Sequence, residues 1–232
     1  MDFEVIPKSA RFDDTVLITG FHGIGYVGYW TVKYLIQKLE AKRVAFIDSD
    51  SVSPVASTNQ GKLVTPYEFY QSKDITLFKV EVPPYRGAEL DFYRSFSKWV
   101  TESKFREVVL IGGLDSSLRT DDSSFRLVHT NSYVPNEFVK VAKILEDEQI
   151  IVGPVAIMLN YFESRNFPAY AVLSYSSTDR IDPRAAVASI EILSKCYGFT
   201  VDVEPLMKGA EAVETEVSKQ ERKLGKTESI YT

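Results

Sequence analysis

The chain has 232 residues, 44% hydrophobic and 25% charged, with 27 Lys and Arg against 32 Asp and Glu and a net charge of −5. That length suffices for one large domain with a sizeable core, or one domain plus an appendage, and the acidic balance disfavours a nucleic-acid partner. One cysteine excludes an internal disulfide, one cysteine with two distant histidines (His22 and His129) excludes a Cys/His zinc site, and no run of about 18 apolar residues offers a membrane span.

In chain order, the opening MDFEVIPKSARFDD has neither the basic nor the apolar region of a signal peptide, so a cytoplasmic location is expected. Thr15 to Thr19 reads as a first strand, a glycine-rich turn follows, and Tyr29 to Glu40 places Val32, Leu35, Ile36 and Leu39 at helical spacing. Arg43 to Asp48 reads as the next strand. Tyr67 to Tyr70 and Ile75 to Val80 read as two more, as a hairpin pair. Ala88 to Ser103 is aromatic-rich and helical in period, with Leu90, Phe92, Tyr93, Phe96, Trp99 and Val100 near one face, the pattern of a core helix.

Val108 to Gly113 has the look of a buried parallel strand opening into a loop, which places Leu114 to Ser124 at a strand's C-terminal edge. Asn136 to Glu148 and Pro154 to Arg165 read as further amphipathic helices, the second with Pro in its first turn. Pro168 to Ser174 reads as a strand. Asp182 is a natural N-cap for a helix over Arg184 to Tyr197, and Gly198 a natural stop. Strands alternating with helices define an α/β fold around a mainly parallel sheet. Beyond Val201 the composition shifts to Glu and Lys, with a narrow seam of Leu206, Ala210, Val213, Val217 and Leu224. The expected organisation is an α/β domain over 1–202, a charged helix over 203–224 that packs on the domain or on another subunit, and a flexible tail over 225–232.

Gly23-Ile24-Gly25-Tyr26-Val27-Gly28 spells G-x-G-x-x-G between a strand and a helix, and Asp48 lies twenty residues past Gly28 at the end of the next strand. This is the spacing of a dinucleotide fingerprint, in which glycines let backbone amides approach a pyrophosphate and the acid binds a ribose. Gly20, Phe21 and His22 intervene between strand and fingerprint, however, which makes the turn longer than that motif requires. The Tyr-x-x-x-Lys pairs Tyr29/Lys33 and Tyr34/Lys38 both fall on the first helix, away from where a nicotinamide would sit. Two readings of the glycines therefore stand: a nucleotide site built from Gly23, Gly25, Gly28 and Asp48, or a tight turn with close helix–strand packing.

Other chemistry is sparse. His22 lacks an evident Ser or Cys partner, Cys196 reads as a small buried hydrophobe, and the loop Asp115 to Asp122 carries polar groups but no nucleophile elbow. No catalytic residue, cofactor or metal ligand is expected.

The last three residues, Ile230, Tyr231 and Thr232, put an apolar side chain, a tyrosine and a terminal carboxylate on the tail. Each suits a docking peptide: one fills an apolar pocket, one adds ring area and a hydroxyl, and the carboxylate pairs with a lysine or a backbone nest. The arrangement resembles the hydrophobic-Tyr-any (HbYX) tail with which activators and assembly factors enter the α-subunit pockets of the proteasome core particle.

Gly20 to Gly28 resembles the G-F-x-G-I-G-x-V-G signature of the proteasome assembly chaperone family, the archaeal and eukaryotic relatives of assembly chaperone two, with His22 where many members have Pro. Val109 to Gly113, Gly153-Pro154 and Asp182 to Ala186 resemble that family's pattern in the same order, so the likeness covers about residues 12 to 217. The resemblance implies a three-layer α/β/α domain without an established catalytic residue, homo-oligomers in archaeal members, and binding to the proteasome α ring to assist assembly or to open the gate without ATP. It assigns Ile230, Tyr231 and Thr232 as the binding residues.

Overall fold

The computed structural model describes residues 3–209, so Ile230, Tyr231, Thr232 and most of the charged segment lie outside the described residues. One eight-stranded sheet forms the middle layer. Its strands are β1 (Phe3–Ile6), β2 (Val16–Gly20), β3 (Lys42–Ser49), β6 (Tyr67–Ser72), β7 (Ile75–Val80), β8 (Glu107–Asp115), β9 (Phe125–His129) and β10 (Ala169–Ser176), in the order β1-β3-β6-β7-β2-β8-β10-β9. A separate small hairpin pairs β4 (Ser57–Asn59) with β5 (Lys62–Val64).

The four central strands β7-β2-β8-β10 run parallel, and the pairs outside them are antiparallel. Strand β2 shows why its sequence reads as a continuous apolar run. Both of its edges are paired and both of its faces are covered, so all five residues are buried. The hairpin of Tyr67 to Tyr70 with Ile75 to Val80 forms as expected, β6 against β7.

Helices α2 (Glu89–Glu102) and α4 (Gly153–Ser164) cover one face, with Phe92, Phe96, Val100, Met158 and Phe162 packed on Leu17, Val108, Leu110 and Ala171. Helices α1 (Val27–Lys38) and α5 (Pro183–Tyr197) cover the other, with Val32, Leu35, Ile190 and Leu193 on Ile18, Val109, Ile111 and Val172. Adjacent residues of one strand thus feed opposite layers, as a pleated strand requires. The aromatic wealth of the chain is spent largely under α2, where Phe96 stacks on Phe78 at 4.3 Å and Phe69 lies tilted against Phe78 at 4.7 Å.

Helix α5 begins and ends where its residues dictate. The Asp182 carboxylate accepts from the Ala185 amide, Pro183 occupies the first turn, and Gly198 closes the helix in the left-handed region at φ 67°.

The segment Asn136 to Glu148 corrects the expectation of a long amphipathic helix. Asn136 does cap a helix, accepting from the amides of Phe138 and Val139, but α3 spans only Glu137–Lys140. Thereafter the chain pairs with the outer edge of β9: Leu127 N–H donates to Lys143 O at 2.9 Å and Leu145 N–H to Leu127 O at 2.8 Å. An edge strand has unpaired backbone groups to satisfy, and pairing satisfies them while Val141 and Ile144 stay exposed. Strands β1 and β9 were not anticipated. After α5 the chain returns to the α1 face, where Tyr34 Oη donates to Asp202 O at 2.7 Å and Leu206 is buried with residues of α1 and α5, inside a helical stretch over 204–209.

Candidate functional site

The glycine loop joins β2 to α1 at the C-terminal edge of the parallel strands, where chain connections leave in opposite directions from β2 and β8. In open α/β sheets such a switch point is where ligands lie. Here the loop's own backbone fills it. A β-carbon on Gly28 would stand 2.4 Å from Ile111 O, and one on Gly113 would stand 2.3 Å from Ile24 O. Gly25 takes φ +60° and comes so near β10 that an added β-carbon would lie 1.8 Å from Ser176 Oγ; its carbonyl accepts from the Asp182 amide at 3.0 Å. Gly23 is different, with nothing within 4 Å of such an atom.

Asp48 stands at the exposed end of β3. Strands β6 and β7 lie between β3 and β2, so three inter-strand spacings, on the order of 14 Å, separate it from the loop. The structure therefore does not bring Asp48 to Gly23, Gly25 and Gly28, and the close packing accounts for Gly25 and Gly28.

Beside the loop runs a chain of polar side chains. Lys33 Nζ donates to Tyr29 Oη at 2.9 Å, Tyr29 Oη donates to Glu81 Oε1 at 3.0 Å, and Lys79 Nζ lies 2.9 Å from Glu81 Oε2 and 3.4 Å from Glu68 Oε2. Glu68, fully buried, also accepts from Arg43 at 2.7 Å, from Tyr70 Oη at 2.5 Å and from the Thr65 amide at 3.0 Å. Burial by itself raises the Glu68 carboxyl, but its donors, Tyr70 foremost, with the Lys79 charge hold it below its ordinary value. Glu81 is likewise raised by burial and brought below its ordinary value by Lys79 and Tyr29.

The Tyr29/Lys33 spacing thus does produce a contact, yet burial raises the Tyr29 hydroxyl rather than activating it. His22 stacks on Tyr29 with ring centroids 4.3 Å apart, and burial lowers its pKa. Its buried Nδ1 makes no hydrogen bond among the described residues. Cys196 is half-buried, its thiol 3.8 Å from Asn136 Oδ1 and pushed up by burial. Among the described residues no cluster of three His, Cys, Asp or Glu side chains could hold a metal ion, and no helix is long and apolar enough to cross a membrane.

The loop after β8 is tied down from below. Asp121 accepts from Lys143 at 2.7 Å, the contact that chiefly holds its carboxyl well below the usual range, and from the buried Arg126 at 3.0 Å; Arg126 also pairs with Glu146 at 2.7 Å. Across this loop, a crevice of about 320 Å³ opens between the ends of β8 and β10 and the start of α5. The loop Asp115 to Asp122, with Arg119, and the stretch Asp182 to Ala186, with Arg184, stand out in the sequence, whereas Arg180 and the Glu68–Lys79–Glu81 chain belong to no short motif. The one signal available was polar or charged residues recurring just past strand ends.

The domain is an eight-stranded α/β/α sandwich whose switch-point crevice is filled by its own glycine loop. The chain belongs to the PAC2 family, whose model matches residues 17–221. It is 24% identical to uncharacterized protein MJ0106 of Methanocaldococcus jannaschii over 211 residues, 89% of this chain and 85% of that protein. Its fold is that of Pyrococcus furiosus PbaA, described as an archaeal homolog of proteasome-assembly chaperone, with a TM-score of 0.78 at 21% identity over 98% of this chain and 94% of the other. It is also similar to P. furiosus PbaB, described as an archaeal proteasome activator, with a TM-score of 0.75 at 20% identity over 94% and 98% of the two chains.

Proposed function

We propose that this protein is a non-catalytic, cytoplasmic proteasome-binding factor, an assembly chaperone or an ATP-independent activator, that docks Ile230, Tyr231 and Thr232 into pockets of the core-particle α ring. The observation that carries this reading is membership of the PAC2 family together with a fold shared with both PbaA and PbaB. The tail supplies the chemistry of docking: an apolar anchor, a ring with a hydroxyl, and a carboxylate.

A three-residue peptide binds weakly on its own. Several tails on a homo-oligomer turn later engagements into intramolecular events and raise avidity by about 10²–10⁴. A rigid domain with a narrow apolar seam leading to each tail suits such a scaffold.

The test is co-sedimentation of the full-length protein with the host's own core particle, against a form lacking Ile230 to Thr232 and against Tyr231→Ala. Binding should be lost in both while the oligomer stays intact. Undiminished binding by the truncated form overturns the proposal.

A further inference from the structure

With the switch-point crevice between β2 and β8 filled by backbone, the opening at this edge of the sheet is displaced by one strand, to the ends of β8 and β10. The wall of that crevice carries Arg119 from the turn after β8, Arg180 from the β10–α5 turn, and Arg184 from the first turn of α5. In a chain of net charge −5, arginines from three segments line one crevice beside a single carboxylate. Asp182 is the acid among the lining residues, and its carboxylate is turned to backbone amides, accepting from Ala185 N at 3.2 Å and Ser177 N at 3.3 Å.

Arg119 is fixed in place by its bonds to the carbonyls of Asp121 and Asp122, at 2.8 and 2.6 Å. Those bonds use Nε and Nη2 and leave Nη1 without a partner among the described residues. Arg180 makes no hydrogen bond or salt bridge among the described residues; its charge acts on the neighbouring Asp179, which is itself engaged by the Ser177 hydroxyl. Tyr175, only 7% exposed, adds its ring to this region, with the Arg126 guanidinium 5.2 Å and the Arg119 guanidinium 5.9 Å from its centroid. Its buried hydroxyl has no hydrogen-bond partner among the described residues.

We propose that this crevice binds phosphate, as the free ion or as the phosphoryl group of a small metabolite, with Arg119 and Arg180 as charge partners and Ser116 Oγ and Ser124 Oγ as neutral donors. The guanidinium fork matches the spacing of phosphate oxygens and remains charged at every physiological pH. The volume is that of a small-metabolite site, and the position outside the carboxyl ends of parallel strands is the usual one for α/β sheets.

Calorimetric titration of the full-length protein with inorganic phosphate and, separately, with AMP at constant ionic strength tests the assignment. Saturable binding of either probe is expected, weakened about tenfold or more in Arg180→Ala. Lys98→Ala, exposed on α2 across the sheet, should leave it unchanged. Saturation with AMP alone identifies a carrier-borne phosphoryl group, and saturation with both identifies the ion itself. Absence of saturable binding by both probes overturns the proposal, as does equal affinity in Arg180→Ala with an unaltered thermal midpoint.

Discussion

A β-carbon on Gly28 would stand 2.4 Å from the carbonyl oxygen of Ile111, so the first turn of α1 and strand β8 meet backbone to backbone. The same residue that completes a nucleotide-like fingerprint is thus spent on closing the crevice a nucleotide would need.

Substitution at this contact separates packing from binding. Gly28→Ala must push apart two backbones held by sheet and helix hydrogen bonds, and should cost about 3 kcal/mol or abolish folding. Gly23→Ala, with open space around it and a negative φ, should shift the urea midpoint by the equivalent of about 0.5 kcal/mol or less.

Glu68 gives the protein an acid limit. Its carboxyl lies below its ordinary value when folded, so its contribution to stability is complete above the unfolded value of about 4.3 and is lost as pH falls through the folded one. Unfolding free energy measured from about pH 7 to about pH 3 should therefore decline. Glu68→Gln should make that decline shallower and lower stability at neutral pH by about 3 kcal/mol, because Arg43 and Lys79 lose their shared partner. Glu81, Asp121 and Glu146, lowered in the same direction, supply slope that remains.

Arg126 ties the turn after β8 to the strand-like stretch at residues 143–146 through Asp121 and Glu146. In Arg126→Met, hydrogen exchange at the Leu145 amide, which bonds to Leu127 O, should accelerate by about tenfold or more while exchange in β2 is unaffected.

Phe96, fully buried, stacks on Phe78 and lies 6.2 Å from the Phe69 ring. Phe96→Ala should lower the unfolding free energy by about 3–5 kcal/mol, read from denaturant curves of unchanged slope.

Local signals were legible where local physics decides. Helix α5 announces itself through Asp182, Pro183 and Gly198, and β8 through an apolar run ended by glycines. The four-residue helix at Glu137 was overread because apolar spacing alone does not disclose that Leu127 offers backbone groups needing partners. Strand β1 is four residues long at a sheet edge, too short for a period to show. The distance between Asp48 and the glycine loop depends on strand order, a long-range property, and β6 and β7 insert themselves between two strands adjacent in sequence. Arg119 lies some sixty residues before Arg180 and Arg184, so only folding brings it to the same crevice.

The two margins of the sheet are unequal. At β9 the middle of the outer margin is already occupied by residues 143–145, whereas β1 has no outer neighbour among the described residues. Continued edge-to-edge stacking of sheets requires two open margins on every molecule. A sheet sealed on one side can join a twin once, β1 to β1, and the growth ends there.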